Sequence, residues 1–324
     1  MPDLDIMDRL RAGETLLLDG GTGSELQRRG ADVLLGATDR LKAWSATANI
    51  EFADVVQQVH QDYLRVGADI IISNNFWTIP SRLEGIGLHE RWQEFAQAAG
   101  ANAVTARQAG NPQAYVAGGI AAPCMQSSGD KPVSDVEYMG AVAFHKEYID
   151  HSKLLAAMGV DVILVEYVGF IADCVAAVDA GAEAGIPVFL GVRHIGVDGA
   201  MQYGESLSDL AAALEGHPVS AVLLMCSHPE ALSKGLPILR DAYTGPVGVY
   251  PNLGYNPTGP IVEAKMLTNQ LPSEGQDVAQ IRNYSPSRMA EFADEWKHMG
   301  AQIIGGCCAS GPEHIMAMKT AVKG

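Results

Sequence analysis

Eight short apolar segments, spread over nearly the whole chain, constrain its fold more than any other feature. They span 15–19, 68–74, 114–120, 161–166, 187–193, 221–226, 246–250 and 301–305. Each is rich in Val, Ile, Leu or Ala without clean alternation, as strands buried on both faces are. A polar or Gly/Pro-marked turn follows each segment, and then a stretch with helical spacing. Phe52, Val55, Val56, Val59, Tyr63 and Leu64, for instance, hold the i, i+3, i+4, i+7 pattern of one amphipathic helix. Ser134 and Glu137 form a capping-box pattern ahead of one long helix ending near Gly159. Further helices are expected over 90–110, 171–185, 208–216, 229–243, 286–300 and 312–322, and many of them end in Gly. Strand and helix alternating eight times predict an α/β chain: a single (β/α)8 TIM barrel over residues 1–324, with a doubly wound open sheet as the alternative.

A barrel places chemistry at the C-terminal ends of its strands. Those ends read Asp19-Gly20-Gly21-Thr22-Gly23, Asn74-Asn75-Phe76, Gly118-Gly119-Ile120, Glu166-Tyr167, Arg193-His194, Cys226, Tyr250-Pro251-Asn252 and Gly306-Cys307-Cys308. Two connections on that face are long, 194–205 and 252–285, and are expected to cover a site. Gly20 to Ser24 looks like a phosphate-binding turn, but Leu26 stands where a third glycine belongs, so close packing around Asp19 is the better reading. His194 and His228 lie near the mouth and read as hydrogen-bonding residues rather than ligands.

The cysteines divide into two groups. Cys307 and Cys308 are adjacent, at a turn from a strand into a helix that starts around Pro312 and favours thiolates at its positive end. Cys226 has the same setting, and barrel closure brings strand six within two strands of strand eight. Three thiolates suit zinc and leave one tetrahedral position open, as a catalytic site requires. Cys124 and Cys174 read as buried, inert thiols. Five cysteines without framework spacing argue against a disulfide scaffold.

The formal charge of −16 argues against nucleic-acid binding. No apolar run approaches the roughly 18 residues of a membrane helix, so no membrane partner is expected. Asp3, Asp5 and Asp8 give the first residues the wrong charge for a signal or transit peptide, so a cytoplasmic location is expected. Nothing in the sequence marks an oligomer interface.

The strand-end residues, together with Trp44-Ser45 and the terminal Gly305-Gly306-Cys307-Cys308, resemble the zinc-dependent homocysteine S-methyltransferases. The resemblance runs from Asp19 to His314-Ile315, and its most specific part is one upstream cysteine paired with Gly-Gly-Cys-Cys. It implies a (β/α)8 barrel with zinc at its mouth, held by Cys226, Cys307 and Cys308. It further implies that Asp19 and Glu166 hold the ammonium group of homocysteine, whose zinc-bound thiolate takes a methyl group and leaves as methionine. The donor implied is cationic: S-methylmethionine, S-adenosylmethionine, betaine or a similar sulfonium. Gly20, Gly21, Asn75, Phe76, Trp44, Trp77, Tyr167, Tyr250 and Asn252 are the expected substrate-binding residues, with Tyr255 a further candidate for an aromatic cage around the donor. A tyrosine after the glutamate, as in Glu166-Tyr167, is similar to the betaine-using branch, where it occupies the open zinc position before thiol arrives. The chain departs from the family at Met225, where Asn is usual, at Ala309-Ser310 in place of Gly-Thr, and at Phe76-Trp77-Thr78-Ile79-Pro80. A length of 324 residues leaves no room for appended folate and cobalamin domains. Two other readings stand beside this one. The first is related zinc chemistry with another thiol or donor. The second is a Cys-Cys redox or noncatalytic metal-binding barrel.

Overall fold

Eight parallel strands run β1 (Leu16–Leu17), β2 (Ile70–Ser73), β3 (Tyr115–Ala121), β4 (Val162–Val168), β5 (Val188–Arg193), β6 (Ala221–Met225), β7 (Val247–Tyr250) and β8 (Ile303–Ile304). This computed structural model describes residues 2–31, 43–123, 127–128, 131–254 and 284–324. The sheet order is β1-β8-β7-β6-β5-β4-β3-β2. Its two ends meet through a parallel bridge between Leu18 and Ile70. At that seam Asp69 N donates to Leu17 O at 2.7 Å and Asp19 N to Ile70 O at 3.0 Å. The chain therefore forms the TIM-barrel-like α/β fold that the alternation predicts, and the open-sheet alternative falls away. Each of the eight strands lies within an expected segment or within two residues of it, and the first and last are much shorter than expected.

Every residue of β3, β5 and β6 is buried, which explains their unbroken apolar character. Inward-facing Leu16, Leu18, Ile70, Leu164, Phe189 and Ile303 fill the lumen, while outward-facing Val116, Ile163, Leu190 and Val249 join the core beneath the helices. The lumen is closed at the bottom by a helix that the pattern did not announce, Ile6–Arg11. Asp5 caps it by accepting from Met7 N at 2.8 Å, and Ile6 and Leu10 insert into the lumen cluster. Burying two such side chains contributes about 1.5–3 kcal/mol each.

The expected long helix after Ser134 is a correction. Ser134 does cap, accepting from Glu137 N at 3.2 Å, but the helix breaks at Gly140 into Asp135–Met139 and Ala141–Ala157. Gly140 has φ 82° and ψ 141°, a conformation that only glycine adopts cheaply and that no helix contains. The connection 194–205 folds back over the strand ends rather than standing open. Tyr203 stacks on Phe170 at 4.1 Å, and Glu205 accepts from Ile171 N at 2.9 Å. Most of the connection 252–285, Tyr255 included, lies outside the described residues, as does Cys124. Cys174 is fully buried and unpaired among the described residues, and burial pushes its thiol well above the ordinary range, in keeping with an inert role. Among the described residues no helix is long and apolar enough to cross a membrane.

Candidate active site

The mouth of the barrel is built from backbone stitches between strand ends. Gly306 N donates to Asp19 O at 2.9 Å, Cys307 N to Pro251 O at 2.7 Å and Gly21 N to Ser310 O at 3.0 Å. These bonds hold the Gly-Gly-Cys-Cys turn against the turns that follow β1 and β7. Cys226 N donates to Tyr250 O at 3.0 Å, which fixes the end of β6 beside them. The three Sγ atoms of Cys226, Cys307 and Cys308 consequently lie within 4.8 Å of one another. Cys307 and Cys308 Sγ are 3.9 Å apart as free thiols, and Asn252 Nδ2 reaches to 3.6 Å from Cys226 Sγ. Thiol hydrogen bonds from Cys226 and Cys307 pull Cys308 well below the ordinary thiol range. Cys307 is held above it by its hydrogen bonds to Cys226 and Cys308 and by burial. Soft donors gathered on so small a spacing fit a thiophilic ion such as zinc.

Glu166, on β4, forms the opposite wall of the cavity and is 4 % exposed. Tyr250 Oη donates to its Oε2 at 3.2 Å. Two glycines on the flanking strands make room for this pair. A Cβ at Gly119 would lie 2.5 Å from Glu166 Oε1, and one at Gly191 would lie 2.3 Å from Tyr250 Oη. Burial pushes the Glu166 carboxyl up to about 8, with the charge of Cys308 adding to the effect. Asp19 is fully buried at the barrel seam and does not itself line the cavity. Its Oδ2 accepts from Ile72 N at 2.9 Å, and its Oδ1 has no hydrogen-bond partner among the described residues. Burial, with the nearby Glu166 charge, holds Asp19 well above the ordinary carboxylate range.

The expected substrate residues divide cleanly. Gly20, Gly21, Trp44, Phe76, Trp77, Tyr167, Tyr250 and Asn252 all line the cavity with Glu166 and the three cysteines. Asn75 does not, which corrects its expected place. Its Nδ2 donates inward to Thr78 Oγ1 at 3.1 Å and Ala96 O at 3.0 Å, while its Oδ1 accepts from Ser73 Oγ at 2.6 Å. Asn74 lines the cavity instead, and its bonds with Ser45 and Asn49 hold the Trp44-Ser45 turn against the end of β2. Phe76 packs on Trp77 and on Tyr167, each at 5.3 Å between ring centres.

The family model described as homocysteine S-methyltransferase matches residues 16–322. The chain belongs to that family. It is similar to homocysteine S-methyltransferase 4 of Zea mays, 28 % identical, with 96 % of this chain and 90 % of that protein covered. Homocysteine S-methyltransferase of Escherichia coli (strain K12) is 27 % identical, with 94 % of each chain covered. The crystal structure of the homocysteine methyltransferase MmuM from Escherichia coli, in its metallated form, superposes with a TM-score of 0.74 at 25 % identity, covering 97 % of this chain and 98 % of that one. The chain is thus a methyltransferase by family, acting on small molecules.

Three features of this family member were not readable in advance. Met225, the departure beside the first cysteine, lines the cavity; its Sδ accepts from Tyr167 N at 3.0 Å and lies 3.1 Å from Tyr250 Oη, whose one proton it shares with Glu166. Gly191 clears the space for Tyr250, and only its place inside an apolar strand hinted at a close approach. Finally, Tyr167, His194 and Cys226 sit at the ends of three successive strands with φ of 62°, 54° and 47°. Left-handed backbone at non-glycine residues costs about 1–3 kcal/mol each and concentrates where geometry serves function.

Proposed function

We propose that this homocysteine S-methyltransferase moves a methyl group from a cationic donor to the sulfur of homocysteine, giving methionine, at a zinc site formed by Cys226, Cys307 and Cys308. S-methylmethionine, S-adenosylmethionine, betaine or a similar sulfonium is the donor class. The observation that carries the reading is three thiol sulfurs within 4.8 Å at a mouth whose opposite wall is a buried carboxyl with no cation beside it among the described residues. A zinc ion held there would supply the Lewis acidity that keeps an incoming alkyl thiol deprotonated at neutral pH, where it is otherwise mostly protonated.

The chain's own residues do the rest. Glu166, with the charge of Asp19 nearby, accepts charge-assisted hydrogen bonds from the substrate ammonium, which anchors the amino acid and aims its sulfur at the cysteines. An arriving cation also restores the charged form of Glu166 that burial disfavours. Trp44, Phe76, Trp77, Tyr167 and Tyr250 offer the aromatic wall that a sulfonium or quaternary ammonium requires, since such a donor has no N–H or O–H to give. Arg82 lies over Trp77 at 4.6 Å and Arg193 over Tyr167 at 4.9 Å, which braces both rings. In the transfer the sulfur lone pair forms the new S–CH₃ bond while the donor's bond to that methyl breaks, its pair leaving on the donor. Positioning supplies most of the acceleration, because the leaving group is already good.

The test is methionine formation from homocysteine with each donor in turn, with and without a chelator, alongside zinc analysis. One zinc per chain and chelator-sensitive turnover with one donor support the reading. If zinc is bound and no donor yields methionine, the acceptor is another thiol. A metal-free protein with a reversible Cys307–Cys308 disulfide would overturn the metal site altogether.

A further inference from the structure

From the cavity wall backward, three side chains from two strand ends and the β5 loop form a line whose hydrogen bonds the methyl-transfer reading leaves unused. Tyr167 Oη lies 3.1 Å from His194 Nε2, and His194 Nδ1 lies 2.8 Å from Gln202 Oε1. His194 is 4 % exposed and does not line the cavity, whereas Tyr167 does. Burial and the charge of Arg193 push His194 down to about 3, so the ring is neutral and carries one proton. Gln202 turns a carbonyl oxygen, which only accepts, toward Nδ1. The imidazole proton therefore sits on Nδ1, and Nε2 is left as an acceptor. Its partner is the Tyr167 hydroxyl, whose single proton is thereby spent. The Tyr167 ring has little freedom to escape this bond. Phe76 and His194 meet it edge-on at 5.3 and 5.1 Å, the Arg193 guanidinium lies over it at 4.9 Å, and its own N–H is tied to Met225 Sδ at 3.0 Å.

We propose that His194 and Gln202 are positioning residues that commit the Tyr167 hydroxyl proton away from the cavity, so that Tyr167 meets the methyl donor as an acceptor. This rests on the methyl-transfer reading for its purpose, though not for its geometry. Methyl groups on a positive sulfur or nitrogen carry polarised C–H bonds that favour an oxygen lone pair. A phenol free to rotate would spend part of its time turning the positive end of O–H toward that same cation. Fixing the proton removes the unfavourable rotamer before the donor arrives, which is preorganisation in the sense that lowers the barrier at no later cost.

Two measurements test it. In the zinc-loaded, ¹⁵N-histidine-labelled protein, long-range ¹H–¹⁵N spectra, with the His194 signal assigned by its loss in His194→Gln, should show the proton on Nδ1. A proton on Nε2 overturns the relay whether or not the enzyme makes methionine. In a double-mutant cycle with the donor that supports turnover, His194→Leu should lower kcat/KM for that donor about tenfold, and His194→Gln, which keeps an acceptor, about threefold or less. In a Tyr167→Phe background, His194→Leu should change kcat/KM less than twofold further. Equal losses in both backgrounds would mean that His194 acts through packing alone, and the proposal would fail. If no donor turns over, the proposed function fails while the tautomer still decides the relay.

Discussion

The two ends of this barrel treat their carboxylates in opposite ways. At the bottom, Asp161 Oδ2 accepts from Arg107 Nη1 at 2.6 Å and Val116 N at 2.8 Å. Asp69 there accepts from Leu17 N at 2.7 Å, lies 3.4 Å from Arg9 and pairs with Lys323. At the mouth, Glu166 has a phenol and Asp19 a backbone N–H, and neither has a cation among the described residues. The bottom acids are finished and hold the fold together. The mouth acids are unfinished, and under the proposed function a substrate ammonium would complete Glu166. The difference teaches where stability ends and function begins in a (β/α)8 chain.

Removing a thiol should give the largest effect. Cys307→Ser is expected to abolish stoichiometric zinc binding and cut methyl transfer by at least about 100-fold, read by metal analysis and methionine formation. Arg107→Ala should next separate the two ends. It leaves the half-buried Asp161 without its partner and should cost about 1.5–3 kcal/mol in urea unfolding, with kcat/KM unchanged. Glu166→Gln should do the reverse, losing about 1.5–3 kcal/mol of substrate recognition, or roughly 10- to 150-fold in kcat/KM for homocysteine, with no loss of stability in the free protein. If Glu166→Gln destabilises as Arg107→Ala does, the contrast between the ends collapses. Asp19→Asn should fall between them, because Asp19 both accepts from Ile72 N within β2 and offers an oxygen with no partner among the described residues.

The smallest effect is on pH dependence. A carboxyl at about 8 in the folded, ligand-free protein and near 4.5 when unfolded is protonated preferentially in the folded state. Its stabilising contribution is complete below about 4.5 and disappears as pH rises to about 8. The urea midpoint of the metal-free protein should fall across that window, and Glu166→Gln should flatten the fall. His60, fully buried and pushed down to about 4, acts at the other side, with stability lost as pH drops from 6.5 toward 4. That acid limb should survive Glu166→Gln.

Much of this was legible in the chain. Apolar segments with turn signals at their ends mark strands wherever both faces are covered, so all eight could be located. The cysteine triad was legible for a simpler reason: closing eight strands into a ring fixes which ends are neighbours. What escaped had a common cause. Asn74 and Asn75 are adjacent and chemically identical, and only the local backbone decides which of them turns to the cavity. Gly140 ended a helix because of its own φ and ψ, which the capping signal upstream could not convey. The helix Ile6–Arg11 carried a cap at Asp5 but was too short to show a period.

By itself the sequence determined the layered strand-helix architecture and the chemical inventory at the mouth: three thiols, two acids and several aromatics. Those follow from periodicity and residue identity, which are local properties. Tertiary structure alone decided the partnerships. It tied Asp19 to the seam, set Glu166 within reach of Tyr250 and across the mouth from the thiols, joined Met225 to the Tyr167 N–H, and lined up Tyr167, His194 and Gln202. Hydrogen bonds act over about 3 Å and have an orientation, and positions dozens of residues apart reach that range only once the barrel has closed.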